Sequence, residues 1–139
     1  MKELATAFII KLESEEIKFE TRELDAGIDV ITIRGAGNNC PRIQIALIFD
    51  KDGKSLVVRC YSICRVPEDK RGAVLESINS FSAEYRWMKF YIDSDNEITC
   101  ETDMQVNVDT AAESCFEMLI RIMRFSDEAY PKFMKTIWS

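Results

Sequence analysis

Five cysteines are the residues of this chain whose chemistry is most versatile. Cys60 and Cys64 lie four residues apart in a predicted strand, which would place them on one face about 13 Å from each other. A disulfide needs Cα atoms within about 7 Å, so this geometry excludes one. The chain has no histidine and no Cys-x-x-Cys, which argues against a zinc site. We therefore predict buried structural thiols at Cys60, Cys64, Cys100 and Cys115, and no metal. Cys40 lies in a Gly/Asn-rich loop and is the one cysteine expected to be exposed; a reactive thiol there is the alternative to an inert one.

Two acidic segments, 50–53 and 93–97, are similar to the beginning of a calcium-binding loop. An EF-hand needs a twelve-residue loop that ends in a bidentate glutamate and lies between helices. Both segments lie between predicted strands and lack that ending. Asp52-Gly53 also supplies the positive φ that a tight hairpin requires. We interpret both segments as hairpin turns.

The absence of histidine also bears on catalysis. It excludes Ser-His-Asp and Cys-His nucleophiles and imidazole proton transfer. The carboxylates show no isolated pair on an apolar face of the kind that acid/base catalysis uses. We predict a protein that is not an enzyme and needs no cofactor. Catalysis by carboxylate or cysteine remains an alternative.

Length and charge limit the class of protein. The 139 residues fit one domain, 1–139, and 47% apolar residues suffice for a core. A net charge of −6 disfavours nucleic acid, and the basic residues group only at Lys51/Lys54 and Lys132/Lys135. No apolar run is long enough to span a membrane, and the amino-terminal residues contain no uninterrupted apolar stretch. We expect a cytoplasmic protein that contacts neither nucleic acid nor membrane.

Hydrophobic periodicity predicts the elements of the first half of the chain. Helical spacing predicts a helix over 2–14, and alternation predicts a short strand at 17–20. A turn is expected at 25–27, a strand over 28–34 and a loop over 35–41. The runs 43–49 and 56–63 alternate on either side of the turn at 50–54 and predict a hairpin.

The second half of the chain predicts helices around another hairpin. A second helix opens at 66–69 and ends near Ser82. The strands Trp87–Asp93 and Ile98–Met104 follow. Asp109 is expected to cap a third helix, and a short fourth helix would restart at Ser126 or at Tyr130-Pro131. The buried stripe of the second helix is predicted to be Val74, Leu75, Ile78 and Phe81. The fold class is therefore α+β: an antiparallel sheet with helices on one face, in the order α, three or four β, α, two β, α, α.

Several strands are apolar on both faces, although helices on one side can cover only one. A second apolar face suggests a partner, most simply a second copy of the chain. Tyr61, Trp87 and Tyr91 point away from the predicted core face and are the candidate partner or dimer surface. Ordinary cross-strand packing is the alternative for these three side chains.

Two stretches resemble the bacterial YbjN-like family. The first is the run 42–53 with Val66-Pro67, and the second is the run 75–79 with 86–93. The family places an Asn late in the middle helix and then a strand of the type Lys-Phe-Tyr-Leu-Asp, which Asn79 and the run 89–93 match. A second Asn often follows three residues later, where this chain has Ser82. The resemblance implies a type III secretion chaperone-like fold, commonly a homodimer, and no catalytic residues. Some members are described as sensory or stress-response regulators.

From the residues and the resemblance together we predict a protein-interaction module. It would be a homodimer that binds a polypeptide partner in chaperone or adaptor fashion, through a sheet edge or an apolar groove. The alternative is a sensory or stress-response regulator that binds a dedicated partner or a small signal.

Overall fold

The structure is a computed structural model that describes residues 1–24 and 26–139. Three helices and six strands follow one another along the chain. Their order is α1 (Glu3–Ser14), β1 (Glu20–Leu24), β2 (Ile28–Gly35), β3 (Ile43–Phe49), β4 (Ser55–Tyr61), a 3-10 turn (Glu68–Lys70), α2 (Arg71–Glu84), β5 (Lys89–Ile92), β6 (Ile98–Gln105) and α3 (Ala111–Ile137). Of the predicted turn at 25–27, Asp25 lies outside the described residues. Ala26 and Gly27 both have positive φ, as a tight turn requires.

All six strands form one antiparallel sheet in the order β1-β2-β3-β4-β6-β5. The first four strands form a meander, because each is joined to the next by a short connection. After α2 the chain forms β5 and then β6. β6 pairs with β4, and β5 pairs with β6 and forms the outer edge of the sheet. This architecture confirms the α+β class and the antiparallel sheet.

The core lies between the sheet and the three helices. α1 packs on β2 and α3, α2 packs on β5 and α3, and α3 crosses β3, β4 and β6. Alternate residues of the central strands, among them Leu47 and Val58, are fully buried on this side. Burying such a side chain contributes about 1.5–3 kcal/mol, so this face supplies most of the driving force for folding. Leu75 was predicted to be in the core, but it is 46% exposed because α2 turns this residue away from the sheet.

The carboxyl-terminal region is one helix and not two. α3 continues through Pro131, where a break was predicted. Ile122, Ala129, Phe133 and Ile137 are buried on both sides of the proline. The free energy gained from this packing outweighs the loss of the backbone hydrogen bond that proline cannot donate. The predicted cap at Asp109 is also wrong. Instead, the Asn107 side chain accepts hydrogen bonds from the backbone N–H groups of Asp109 and Thr110, at 3.0 and 3.1 Å.

Other boundaries also differ from the predictions. The second helix, expected to open at 66–69, begins at Arg71 after the 3-10 turn, and β4 ends at Tyr61 and not at residue 63. The strand expected at 17–20 forms at Glu20–Leu24, where every described side chain is exposed, so its place is set by pairing with β2 and not by burial. α2 ends at Glu84, two residues beyond the predicted Ser82. Within the described residues, no helix is both long enough and apolar enough to cross a lipid bilayer.

The loop between β2 and β3 is fixed to α3 by one carboxylate. Asp127 accepts hydrogen bonds from the backbone N–H groups of Asn38, Asn39 and Cys40, at 3.1, 2.9 and 2.7 Å. A Cβ atom at Gly37 would overlap this carboxylate, so the loop can approach α3 only with glycine there. The contact buries Cys40 to 1% exposure, which contradicts the exposed thiol expected from the loop composition.

Candidate functional site

Trp87 is a large apolar side chain left in solvent, with 60% of its surface exposed. It lies two residues before β5 begins and has a φ of 76°, so the strand alternation that was expected to include it does not reach it. The Arg86 guanidinium carbon lies 5.4 Å from the centre of its indole ring, and that of Arg121 on α3 lies 5.7 Å away. Trp87 is therefore held at the edge of the sheet, beside α3.

An open groove of about 310 Å³ runs from Trp87 between the end of β6 and the first half of α3. Met104 and Met118 form the apolar part of its walls, and the polar part consists of Asp103, Gln105, Ser114, Glu117 and Arg121. Methionine side chains are flexible and polarizable, and they adapt to apolar groups of different shapes. The groove can therefore accommodate an apolar side chain from another molecule against Trp87.

Three arginines surround Trp87, although the sequence showed no basic cluster there. Arg86, Arg121 and Arg124 line a second groove next to the indole, together with Glu84. Arg121 pairs with Glu117 at 3.1 Å. Within residues 1–24 and 26–139, Arg86 and Arg124 have no carboxylate within salt-bridge distance. The expectation of scattered basic residues is thus wrong at this site. The only sequence signal was Arg121 and Arg124 three apart on one helix, because Arg86 comes from the connection between α2 and β5.

Tyr61 and Tyr91 lie on the face of the sheet opposite the helices, in a polar network centred on Glu101. The Tyr91 hydroxyl donates to the Glu101 carboxylate at 3.0 Å, and Lys89 Nζ lies 2.8 Å from it. Arg59 Nε donates to the same carboxylate, and its Nη1 donates to the Tyr61 hydroxyl at 3.4 Å. The structure thus brings two of the three candidate aromatic residues together and leaves Trp87 apart from them.

The pKa values of this network agree with its geometry. Burial alone would raise the pKa of Glu101, but hydrogen bonds from Lys89, Arg59 and Tyr91 outweigh burial and hold the pKa below its usual value. Burial and the hydrogen bond to Glu101 raise the pKa of Tyr91 to about 12. The Glu101 carboxylate is therefore ionised and fully occupied at neutral pH. This is the state of a structural anion and not of a proton donor.

The cysteines are all buried free thiols. Burial raises the pKa of Cys60 to about 11 and those of Cys64 and Cys115 to about 12, and it also raises the pKa values of Cys40 and Cys100. Thiols of this kind form little of the nucleophilic thiolate at neutral pH. The prediction of buried thiols is confirmed for the four named cysteines. Cys64, however, lies beyond the end of β4 and not on it.

The acidic segments form hairpin turns, as predicted. Asp52 accepts the Lys54 N–H at 2.8 Å, and Asp93 accepts the N–H groups of Asp95 and Glu97 at 2.9 and 3.1 Å. Across the described ranges, no group of three or more acidic or cysteine side chains is arranged to hold a metal ion. The carboxylates are used to close the turns.

The sheet face that carries the tyrosines also has an apolar row. Val30, Ile48 and Val57 are directly opposite one another on three neighbouring strands. The next row along the strands holds Arg59, Glu101 and Lys89. All three helices pack on the other face. On this face Val30 is nevertheless buried, and Ile48 and Val57 are half-buried. We call the sheet face that carries Val30, Ile48, Val57 and the Glu101 network the open face.

Comparison with solved structures supports the fold. The chain is similar to a chain of the structure entitled "Crystal Structure of the ExsC-ExsE Complex", with a TM-score of 0.52 and 10% sequence identity. The match covers 93% of this chain and 92% of that one. At this identity the likeness concerns the fold alone, and it confirms the type III secretion chaperone-like architecture. The search of curated proteins finds no match.

The family comparison covers nearly all of the elements described above. Residues 11–133 match the model of YbjN, a family described as "Putative bacterial sensory transduction regulator". This range extends from the end of α1 through the whole sheet to most of α3. It includes both stretches on which the resemblance was based, and on this match the chain belongs to the YbjN family.

Proposed function

We propose that this chain is a non-enzymatic cytoplasmic module that binds a polypeptide partner in chaperone or adaptor fashion. The observation that carries the proposal is the exposed Trp87 at the end of an open groove that also contains Met104 and Met118. Keeping an indole in water is unfavourable, and tryptophan is among the residues that most often dominate protein interfaces. The thiols with raised pKa values and the fully occupied Glu101 carboxylate support a role other than catalysis.

We further propose that the chain is a homodimer that pairs through the open face. The apolar row supports this arrangement, because Ile48 and Val57 are only half-buried in the single chain, beside the already buried Val30. Tyr61 and Tyr91 border the same surface, and they would then be dimer residues, while Trp87 serves the partner. The groove beside Trp87 would remain accessible in such a dimer, because it lies at the sheet edge beside α3.

A peptide selection tests the binding function. Random decapeptides displayed on phage are selected on the full chain, and the enriched peptides are synthesised and titrated. Trp87→Ala should weaken their binding by at least about 30-fold, as expected for loss of a central aromatic anchor. Trp138→Ala is the matched control, since Trp138 is 81% exposed at the far end of α3 and should leave binding unchanged. Failure to enrich any peptide, or equal losses in both variants, would contradict the proposal.

The family description favours a second candidate, a regulator that binds one dedicated partner or a small signal. A small signal would need a closed pocket with converging polar groups, whereas the groove at Trp87 is open. A dedicated protein partner could use the same groove. The peptide selection separates these functions, because a chaperone enriches many unrelated sequences and a dedicated regulator enriches one narrow motif.

A further inference from the structure

We propose that Cys60 and Cys100 form a buried two-thiolate site for one soft metal ion, of the Cu(I) or Hg(II) kind. Both side chains lie on the helix side of the sheet, away from the open face. The site goes beyond the proposed polypeptide binding at Trp87 and does not depend on it. Three observations carry it: the register of the two cysteines, an unpartnered hydroxyl beside them and a loop that covers them.

The sheet register places the two cysteines directly opposite each other on β4 and β6. Pairs of opposite residues in antiparallel strands alternate between hydrogen-bonded and non-hydrogen-bonded ones. Just outside the strand ends, the Val106 N–H donates to the Lys54 carbonyl at 2.9 Å, so that pair is hydrogen-bonded. Cys60 and Cys100 lie an even number of pairs further along, so their pair is also hydrogen-bonded, with Cα atoms about 5.5 Å apart.

This spacing suits a bridging ion better than a disulfide. Opposite Cβ atoms lie about 4.5–5.5 Å apart, at the wide end in hydrogen-bonded pairs, whereas a disulfide needs about 3.5–4.5 Å. A metal–thiolate bond is about 2.3 Å long, so an ion midway between two sulfurs holds them about 4.6 Å apart. The cysteine spacing argued against zinc, which takes four ligands. Because no group of three or more suitable side chains exists within residues 1–24 and 26–139, a soft ion that accepts two thiolates is the one that fits.

A buried hydroxyl without a hydrogen-bond partner lies beside both thiols. Ser126 of α3 is fully buried, and among the described residues its Oγ has no partner. Burial raises the pKa values of Cys60 and Cys100, and donation by this hydroxyl to either thiolate acts against that rise. Leaving a buried hydroxyl unpaired is unfavourable. Two metal-bound thiolates would supply the acceptor that Ser126 lacks.

Metal binding changes the charge of this site. Because their pKa values are raised, both thiols are protonated at neutral pH before an ion arrives. Each sulfur loses its proton when it bonds the ion, so binding of one ion to the two thiols releases two protons. A divalent ion then forms a neutral centre, which an apolar core tolerates. A monovalent ion leaves one negative charge, which a hydrogen bond from Ser126 can stabilise.

The β2–β3 loop lies over the thiols and provides the route to them. Burial is the main cause of the raised pKa of Cys60, and a charge on Cys40 of this loop would add to it, which places the two sulfurs near each other. The loop is held by Asp127, the neighbour of Ser126 on α3. We therefore expect ions to enter where the loop lifts from α3.

The experiment titrates the full chain with Ag(I), a redox-stable analogue of Cu(I), and separately with Hg(II), in millimolar glutathione. Glutathione removes ions from single thiols, so only a site with two thiols retains one. We expect one bound ion per chain. Cys60→Ala and Cys100→Ala should each weaken binding at least about 100-fold. The control Cys115→Ala, at another fully buried thiol, should change it less than about twofold.

Ser126→Ala separates a metal site from ordinary core packing. Removing a hydroxyl that has no partner should leave the Tm of the metal-free protein unchanged or higher. The same change should weaken metal binding about tenfold, because the hydroxyl supports the thiolates that hold the ion. A lower Tm with unchanged metal affinity would assign Ser126 a structural role and overturn its part in the site.

X-ray absorption of the metal-loaded wild type counts the ligands even where a variant does not fold. Two sulfurs support the proposal, and a larger number of sulfurs, or nitrogen and oxygen ligands, would overturn it. Equal losses in Cys60→Ala and Cys115→Ala, or no ion retained against glutathione, would overturn it as well. A disulfide between Cys60 and Cys100 after treatment with hydrogen peroxide would contradict the spacing argument. None of these outcomes bears on peptide binding at Trp87, which the phage selection tests by itself.

Discussion

At the scale of single residues, Glu101 shows how one side chain can be both buried and charged. It lies on the uncovered face of the sheet yet is only 6% exposed, because Arg59, Lys89 and Tyr91 enclose its carboxylate. A buried carboxylate is tolerated when its oxygens are fully hydrogen-bonded. The network therefore allows a charged row to lie beside the apolar one on the open face.

The variant Glu101→Gln tests this network. We expect it to lower the free energy of unfolding by about 1–2 kcal/mol at pH 7, because two cations lose their shared carboxylate. The lower end of the range applies, since Arg59 and Lys89 are partly exposed and water screens them. Urea unfolding measures the change. Asp103→Asn is the control, an exposed acid two residues along the same strand and on the same face.

The difference in unfolding free energy between wild type and Glu101→Gln should also depend on pH. The pKa of Glu101 is held below its ordinary value of 4.5. The contribution of the ionised Glu101 side chain to the free energy of unfolding is therefore fully present above that pH. The contribution is lost as the pH falls through the lowered pKa of the folded protein. The difference in unfolding free energy between wild type and Glu101→Gln should therefore be constant from pH 6 to 8 and shrink below about pH 4. A difference that grows on acidification would contradict this account.

At the scale of elements, α3 organises the molecule through contacts along its whole length. It packs on three strands and on both other helices, and Asp127 fixes the β2–β3 loop to it. Burial would raise the pKa of Asp127, but the three backbone N–H groups outweigh burial and lower it. A single helix thus positions both the β2–β3 loop and two of the arginines near Trp87, Arg121 and Arg124.

A pair of glycine variants tests the attachment of the loop. Gly37→Ala should lower the free energy of unfolding by about 1–3 kcal/mol, because the new Cβ atom collides with the Asp127 carboxylate and the loop must move. Cys40 should then react faster with a thiol reagent. Gly35→Ala, at the end of β2, is the matched control, since apart from its chain neighbours no atom lies within 4 Å of its Cβ position. Equal effects of the two changes would show that the carboxylate contact does not hold the loop.

Local sequence patterns found most elements but missed the extent of α3. Proline in a helix costs about 3 kcal/mol relative to alanine, which justified predicting a break at Pro131. The structure keeps the helix because Ala129, Phe133 and Ile137 continue the buried face beyond the proline. Burial of two large side chains offsets that cost, and this burial depends on elements far away in the sequence.

At the scale of the whole molecule, the two faces of the sheet have different roles. The helices bury one face, and the other presents an apolar row of Val30, Ile48 and Val57 beside a charged one. Sheets with one uncovered face are usually polar on that side. The apolar row therefore favours self-association through the open face.

Light scattering on a size-exclusion column tests the proposed dimer. Across a dilution series the mass should stay at twice the 16.0 kDa of one chain. Ile48→Glu should yield a folded monomer, because it places a charge in the centre of the apolar row. Ile10→Glu, the same change at a 62% exposed position of α1, should remain a dimer. A wild-type monomer at all concentrations would contradict the dimer.

The sequence by itself determined the strands, their hairpin turns and the family, because alternation and turn residues act between near neighbours in the chain. Only the tertiary structure decided that β6 pairs with β4 and leaves residues 102–105 free. It also brought Arg86, from the connection between α2 and β5, beside Arg121 and Arg124 of α3, where the sequence showed scattered charges. These features depend on contacts between residues far apart in the chain, which no local pattern records.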